Sequence, residues 1–191
     1  MSLKVIIVGQ TNCGKTCLVH RIESGEFEKN IINSVMFDYK TIVLKGKSFQ
    51  FYDLSGQENY RNIVPNLFHN AKIAIIAFSI DSMDSFKETD LWYEKIKNSL
   101  NVEDSSNVNY ASIILVGTKL DHHESRKVSN EQGEEKAESF GQSIKYIELS
   151  SLNGENINIL IDEIVNLSNR FSNFHEIANN ERRPECSSGC C

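Results

Sequence analysis

Apolar residues along this chain come in short unbroken runs, separated by longer stretches in which they recur every three or four positions. The runs Leu3–Val8, Thr41–Leu44, Phe49–Tyr52, Ile73–Ser79, Ser112–Gly117 and Ile144–Leu149 predict strands. Lys45-Gly46-Lys47 between the second and third is a short hairpin signal. The three-to-four spacing predicts helices over Lys15–Ser24, Ser85–Leu100, Asn130–Phe140 and Asn156–Phe171, with a shorter one between Arg61 and Asn70. Strands alternating with helices predict an α/β fold, a six-stranded, mostly parallel sheet with helices on both faces. Beyond Ser172 the periodicity lapses. Residues 173–191 are rich in Asn, Ser, Glu and Arg and predict a flexible tail behind one domain at 1–172.

Length, charge and cysteine usage narrow the classes. A chain of 191 residues fits one domain with a tail. A net charge of −6 argues against nucleic-acid binding held by charge. The opening apolar run is too short for a signal peptide or a membrane span, and no other segment could cross a bilayer. Cys13 and Cys17 lie near the N-terminus; Cys186, Cys190 and Cys191 lie at the other end. With no C-x-x-C pair and an odd count, the thiols are expected to be reduced, in the cytosol.

Ligands of such sheets bind at the carboxyl ends of the strands, so the loops that follow strands carry the candidate chemistry. After the first strand stands Gly9-Gln10-Thr11-Asn12-Cys13-Gly14-Lys15-Thr16, a G-x-x-x-x-G-K-[ST] loop opening a helix. Its glycines let backbone N–H groups turn inward toward phosphate oxygens, and the new helix presents its positive end to the same anion. Lys15 supplies a cation for the outer phosphates, and Thr16 a hydroxyl for Mg²⁺, which prefers oxygen ligands. Cys13 and Cys17 read as loop and helix residues whose backbones face phosphate rather than as a metal pair.

The third strand is followed by Asp53-Leu54-Ser55-Gly56-Gln57-Glu58. Asp53 can hold a Mg²⁺ water, the Gly56 amide can approach a terminal phosphate, and Gln57 can orient a water for in-line attack. The fifth strand is followed by Gly117-Thr118-Lys119-Leu120-Asp121. A carboxylate at Asp121 accepts hydrogen bonds from the N1–H and 2-amino group of guanine, a donor pair that adenine lacks. The sixth strand is followed by Glu148-Leu149-Ser150-Ser151-Leu152-Asn153-Gly154, a turn whose backbone can close over a base.

These four blocks, in this order, resemble the Ras superfamily of small GTPases over about residues 3–172. The resemblance implies a P-loop NTPase fold, the Ras-like G domain, with GTP or GDP and Mg²⁺ as ligands. It implies that the backbone amides of Asn12, Gly14, Lys15, Thr16 and Cys17 bind phosphates and that Phe27 sets an aromatic ring against the base. Gln57 matches the family's catalytic glutamine, and Ser151 falls where a backbone N–H reads the guanine oxygen. Ser34 stands where the family has a switch threonine; its hydroxyl can still reach Mg²⁺ but, lacking the methyl group, is expected to hold the switch less firmly.

Among the branches, the chain is most similar to Rab proteins. The segments Ser34-Val35-Met36-Phe37-Asp38-Tyr39-Lys40, Asn59-Tyr60-Arg61-Asn62-Ile63 and Leu67-Phe68-His69-Asn70-Ala71 resemble Rab counterparts, as does the ending Cys190-Cys191. Met36 replaces a glycine, so the effector surface is expected to differ. The base-reading Thr118-Lys119-Leu120-Asp121 follows a Rho variant, and Ser150-Ser151-Leu152 replaces the usual S-A-K. Thr11 stands where Ras has a glycine and is expected to crowd an incoming arginine finger.

The resemblance implies prenyl chains on Cys190 and Cys191. In the tail Arg170, Arg182 and Arg183 balance Glu176, Glu181 and Glu185, so no polybasic anchor supplements them. One lipid chain anchors only marginally, and two cysteines can carry two. The expectation is a monomeric switch on the cytoplasmic face of an intracellular membrane, exchanging with cytosol and serving vesicle traffic. Its expected partners are an exchange factor, a GTPase-activating protein, effectors and the prenyl-transfer and extraction proteins. Two other readings stand beside it: a Rho-like or weakly cycling nucleotide-bound interaction module, suggested by Ser34 and Thr11, and an ATP-using P-loop enzyme, against which Asp121 argues.

Overall fold

The computed structural model of the chain describes residues 2–29, 37–56, 64–100 and 111–180. Strand β1 (Leu3–Val8) is apolar beyond Lys4 because both of its faces are covered. Val5 and Ile7 pack with Leu18, Val19 and Ile22 of α1 (Lys15–Ser24) and with Leu160, Ile164 and Leu167 of the last helix (Ile157–Asn180). Ile6 and Val8 belong to the opposite core, with Trp92 and Ile96 of one helix (Thr89–Ser99) and Ala137 and Phe140 of another (Asn130–Phe140). Period-two alternation in a single strand therefore feeds two cores.

The other strands are β2 (Phe37–Leu44), β3 (Lys47–Leu54), β4 (Ile73–Ser79), β5 (Ser112–Thr118) and β6 (Lys145–Glu148). The helices after α1 are α2 (Met83–Lys87), α3 (Thr89–Ser99), α4 (Asn130–Phe140) and α5 (Ile157–Asn180). The sheet order is β2-β3-β1-β4-β5-β6, with β2 antiparallel to β3 and the other pairings parallel. The expected six-stranded, mostly parallel α/β sheet is thus the observed one. Because β1 lies between β3 and β4, the strand order reverses there and a crevice opens at its carboxyl end.

The strand and helix limits differ from the sequence reading where burial stops being the deciding force. β2 starts at Phe37 rather than Thr41, and its first residues are exposed. They are strand because the ladder to β3 runs on to Phe37 opposite Leu54. The hairpin closes through Lys45 (φ 47°) and Gly46 (φ 79°), both left-handed, which matches the twist of the strands they join. The single helix expected over Ser85–Leu100 is two, α2 and α3, meeting at Glu88. There the buried Thr89 hydroxyl donates to the Phe86 carbonyl at 2.6 Å. The short helix expected before Asn70 is a 3-10 turn, Val64–Phe68. α5 continues past Phe171 to Asn180, so helical backbone enters the stretch read as tail. Neither glycine nor proline occurs between Gly154 and Pro184 to stop it.

Candidate functional site

The phosphate-type loop leaves β1 at Gly9 and enters α1 at Lys15, inside the crevice beside β1. Asn12 (φ 64°) and Gly14 (φ 92°) turn the chain back on itself, and the Cys13 amide donates to the Gln10 carbonyl at 3.3 Å. The Lys15 ammonium is buried and donates to the carbonyls of Gly9 at 2.9 Å and Gln10 at 2.8 Å. A cation is thus held within a ring of backbone at a helix N-terminus, the arrangement that attracts an anion. The Cys13 thiol donates to the Ala77 carbonyl at 3.3 Å, and its sulfur accepts from the Lys15 ammonium at 3.9 Å. Burial pushes the thiols of Cys13 and Cys17 up, which disfavours thiolate chemistry.

β3 delivers Asp53 to the first turn of α1. Asp53 stands opposite Ile7 in the β1 register, and the Thr16 hydroxyl donates to its Oδ2 at 2.6 Å. Two hard oxygen donors 37 residues apart meet beside the anion loop, a donor set that fits Mg²⁺. Gly56 lies against the loop itself: a Cβ built there would stand 2.2 Å from the Gly9 carbonyl oxygen and 2.5 Å from the Thr11 amide nitrogen. Ser34, Gln57, Cys186, Cys190 and Cys191 lie outside the described residues.

The base-reading loops follow β5 and β6. The Thr118 hydroxyl lies 2.5 Å from the Cys13 carbonyl oxygen and 2.9 Å from that of Phe78, joining phosphate loop, β4 and β5. Lys119 takes a left-handed conformation (φ 60°) and turns the chain toward Asp121. The Ser150 hydroxyl donates to Asp121 Oδ1 and accepts from the amides of Leu152 at 3.1 Å and Asn153 at 3.3 Å. Ser150 therefore joins the two loops, with Ser151 buried beside it and Leu152 exposed. Phe27 stands half-buried beyond Gly25, the residue that caps α1. Among the expected residues, then, the phosphate loop, Thr16, Asp53, Gly56, Thr118, Lys119, Asp121 and Ser150 assemble at the carboxyl edge of the sheet.

Two clusters escaped the sequence reading. Asp81 accepts from the Ser79 hydroxyl at 2.5 Å, pairs with His122 Nδ1 at 2.7 Å and faces the Lys119 ammonium at 3.6 Å. Burial pushes the Asp81 carboxyl up, but the hydrogen bonds from Ser79 and His122 outweigh it and hold the group below its ordinary value. The second cluster supports the β6 loop. Arg126 grips both oxygens of Glu148, at 2.7 and 2.8 Å, and the Tyr146 hydroxyl donates to Oε1 at 2.7 Å. Burial raises the Glu148 carboxyl, yet the Arg126 and Tyr146 hydrogen bonds bring it below the usual range. Burial, with the neighbouring Glu148, raises the Tyr146 phenol. The Glu148 carbonyl also accepts from the Asn156 side chain at 2.8 Å, pinning the far end of the loop. Neither cluster has a local motif; the partners are 41 and 22 residues apart.

The model of the Ras family matches residues 4–170 of the chain. The Ras-related protein SEC4 of Candida albicans, in strains WO-1 and SC5314 alike, is 30% identical over 171 residues, which cover 87% of this chain and 77% of that protein.

Proposed function

This chain belongs to the Ras family of small GTPases, and from that premise we propose that it is a Rab-type switch that cycles between GTP and GDP with Mg²⁺ in vesicle traffic. What carries the reading is one juxtaposition. The anion loop holding Lys15, the oxygen pair Thr16–Asp53 and the loop bearing Asp121 occupy one edge of the sheet, with Thr118 tying the first to the third.

In this reading the amides of Asn12 to Cys17 cradle the phosphates and the Lys15 ammonium neutralises the outer ones. Thr16, Ser34 and, through water, Asp53 would hold Mg²⁺, which when bound offsets phosphate charge. Asp121, held by Ser150, accepts from guanine, while Lys119, Ser151 and Phe27 complete the base pocket. Gln57 orients the attacking water. The roles of Ser34, Gln57 and Phe27 rest on the resemblance. So does anchorage through prenylated Cys190 and Cys191 on the cytoplasmic face of an intracellular membrane. Among the described residues no helix is long and apolar enough to cross a membrane.

The test is single-turnover conversion of bound GTP to GDP by the full chain, with Mg²⁺ and with it chelated, alongside Gln57→Leu. Slow, Mg²⁺-dependent conversion that the substitution slows further, with binding retained, supports the switch. Tight binding without conversion, even after an activating extract is added, favours the weakly cycling module that Ser34 and Thr11 suggest. Equal rates in the two proteins would remove Gln57 from its role.

A further inference from the structure

His122 sits at the rim of the base-reading loop with its two ring nitrogens facing two different carboxylates. Nδ1 lies 2.7 Å from Asp81 Oδ2, and Nε2 lies 3.5 Å from Asp121 Oδ2. We propose that His122 is a positioning residue for guanine recognition: when protonated, its imidazole fixes the Asp121 carboxylate in the orientation that reads the base. The inference rests on the guanine-reading role given to Asp121 above.

An ionised carboxylate only accepts hydrogen bonds, so Asp81 requires a hydrogen on Nδ1. A neutral imidazole has a single N–H. With it committed to Asp81, Nε2 presents a lone pair to Asp121 Oδ2, and the two repel. Protonation places a hydrogen on Nε2 and turns that contact into an attraction. The other oxygen of Asp121 is already held by the Ser150 hydroxyl. Ser150 alone leaves the carboxylate free to swing about Oδ1, whereas a donor on each oxygen fixes its plane. Guanine presents its two donors in a plane, so a carboxylate already set in that plane loses less freedom on binding.

The charged neighbours come from each element that faces the ring. Asp81 belongs to the loop after β4; Lys119 and Asp121 belong to the loop after β5, with the Lys119 ammonium 3.6 Å from Asp81 Oδ2. His123 and Glu124, from the 3-10 turn that follows, line the same open cavity as Asp121 and His122. The His122 side chain is 45% exposed, so its pair with Asp121 is screened by solvent.

The experiment measures release of GDP carrying a fluorescent N-methylanthraniloyl group from the full chain, in Mg²⁺ and excess unlabelled GDP. Imidazole is the side chain that ordinarily changes charge between about pH 5 and 8, so the series spans about pH 5.5 to 8.5. Release should slow as pH falls, by about two- to fivefold, the worth of a partly exposed ion pair. His122→Gln, whose amide does not titrate in this range, should flatten the profile. Asp81→Asn, which takes away the carboxylate that requires the hydrogen on Nδ1, lets a neutral ring donate from Nε2 to Asp121 and should weaken the profile. A flat wild-type profile, or one unchanged by either substitution, overturns the proposal. Labelled ADP run in parallel separates this failure from that of the guanine reading. ADP held as tightly as GDP removes Asp121 from its role, while a preference for GDP with no His122-dependent profile overturns the positioning role alone.

Discussion

The hydroxyl of Thr118, the last residue of β5, reaches the backbone carbonyl of Cys13 in the phosphate loop across 105 residues of chain. The same oxygen lies 2.9 Å from the Phe78 carbonyl. One hydroxyl hydrogen is shared between the two acceptors, both of them buried. The loop that would hold phosphate and the loop that would read the base are thereby a single unit, so a change in one is felt by the other.

Thr118→Val keeps the shape and removes the hydrogen. Two buried carbonyls then share no donor there, at a cost of about 1–3 kcal/mol. The expected outcome is a lower urea midpoint together with faster release of bound GDP. A lower midpoint with unchanged release would separate fold stability from coupling between the two loops.

Gly56→Ala drives a methyl group into the backbone of Gly9 and Thr11, where a Cβ has 2.2 and 2.5 Å of room. Backbone cannot swing aside as a flexible side chain can. Overpacking of this kind costs about 1–3 kcal/mol, read as a fall in the urea midpoint at constant slope. An unaltered midpoint would mean that the segment does not rest on the phosphate loop in solution.

The Thr16–Asp53 pair predicts how metal matters. Chelating Mg²⁺ should speed GDP release by about tenfold or more, the factor that about 1.4 kcal/mol of lost contact produces. Thr16→Ala should release quickly with or without chelator, because the hydroxyl proposed to hold the metal is missing in both. Stopped-flow fluorescence with labelled GDP reads the difference.

Glu148 predicts an acid limb of stability. Its carboxyl is held below its ordinary value in the folded protein, so its contribution is complete above the unfolded carboxyl value and disappears as pH falls through the folded one. Wild type should therefore lose stability below about pH 4.5 more steeply than Glu148→Gln, since an unfolded glutamate titrates near that value. At neutral pH the substitution should cost about 2 kcal/mol, less than for a fully buried pair because the Arg126 side chain is 26% exposed. Urea denaturation across a pH series checks both statements.

Much of the fold is legible in the chain because its signals are local. The buried strands β1 and β4 keep their predicted limits, since an apolar run flanked by turn residues specifies a strand covered on both faces. Helix α1 does too, opened by Gly14 and closed by Gly25. Where pairing rather than burial decides, the limits move: Phe37 to Lys40 are strand only because β3 lies alongside. Two helices meet at Glu88 where the periodicity reads as continuous, with the buried Thr89 hydroxyl bonded to the Phe86 carbonyl at the junction.

The candidate site divides in the same way. Lys15, Thr16, Asp53, Gly56 and Asp121 are visible in the chain because each belongs to a short block whose spacing is itself the chemistry: a loop that must wrap an anion, a strand end that must present a carboxylate. The chain by itself determined this inventory and the strand–helix order that brings it to one edge of the sheet. Only the tertiary structure decided that Thr118 bonds to Cys13, that Asp81 and Asp121 share His122, and that Arg126 grips Glu148. Those contacts depend on where parallel strands place the ends of separate loops, and a contact between residues far apart in the chain leaves no periodicity or motif in either segment.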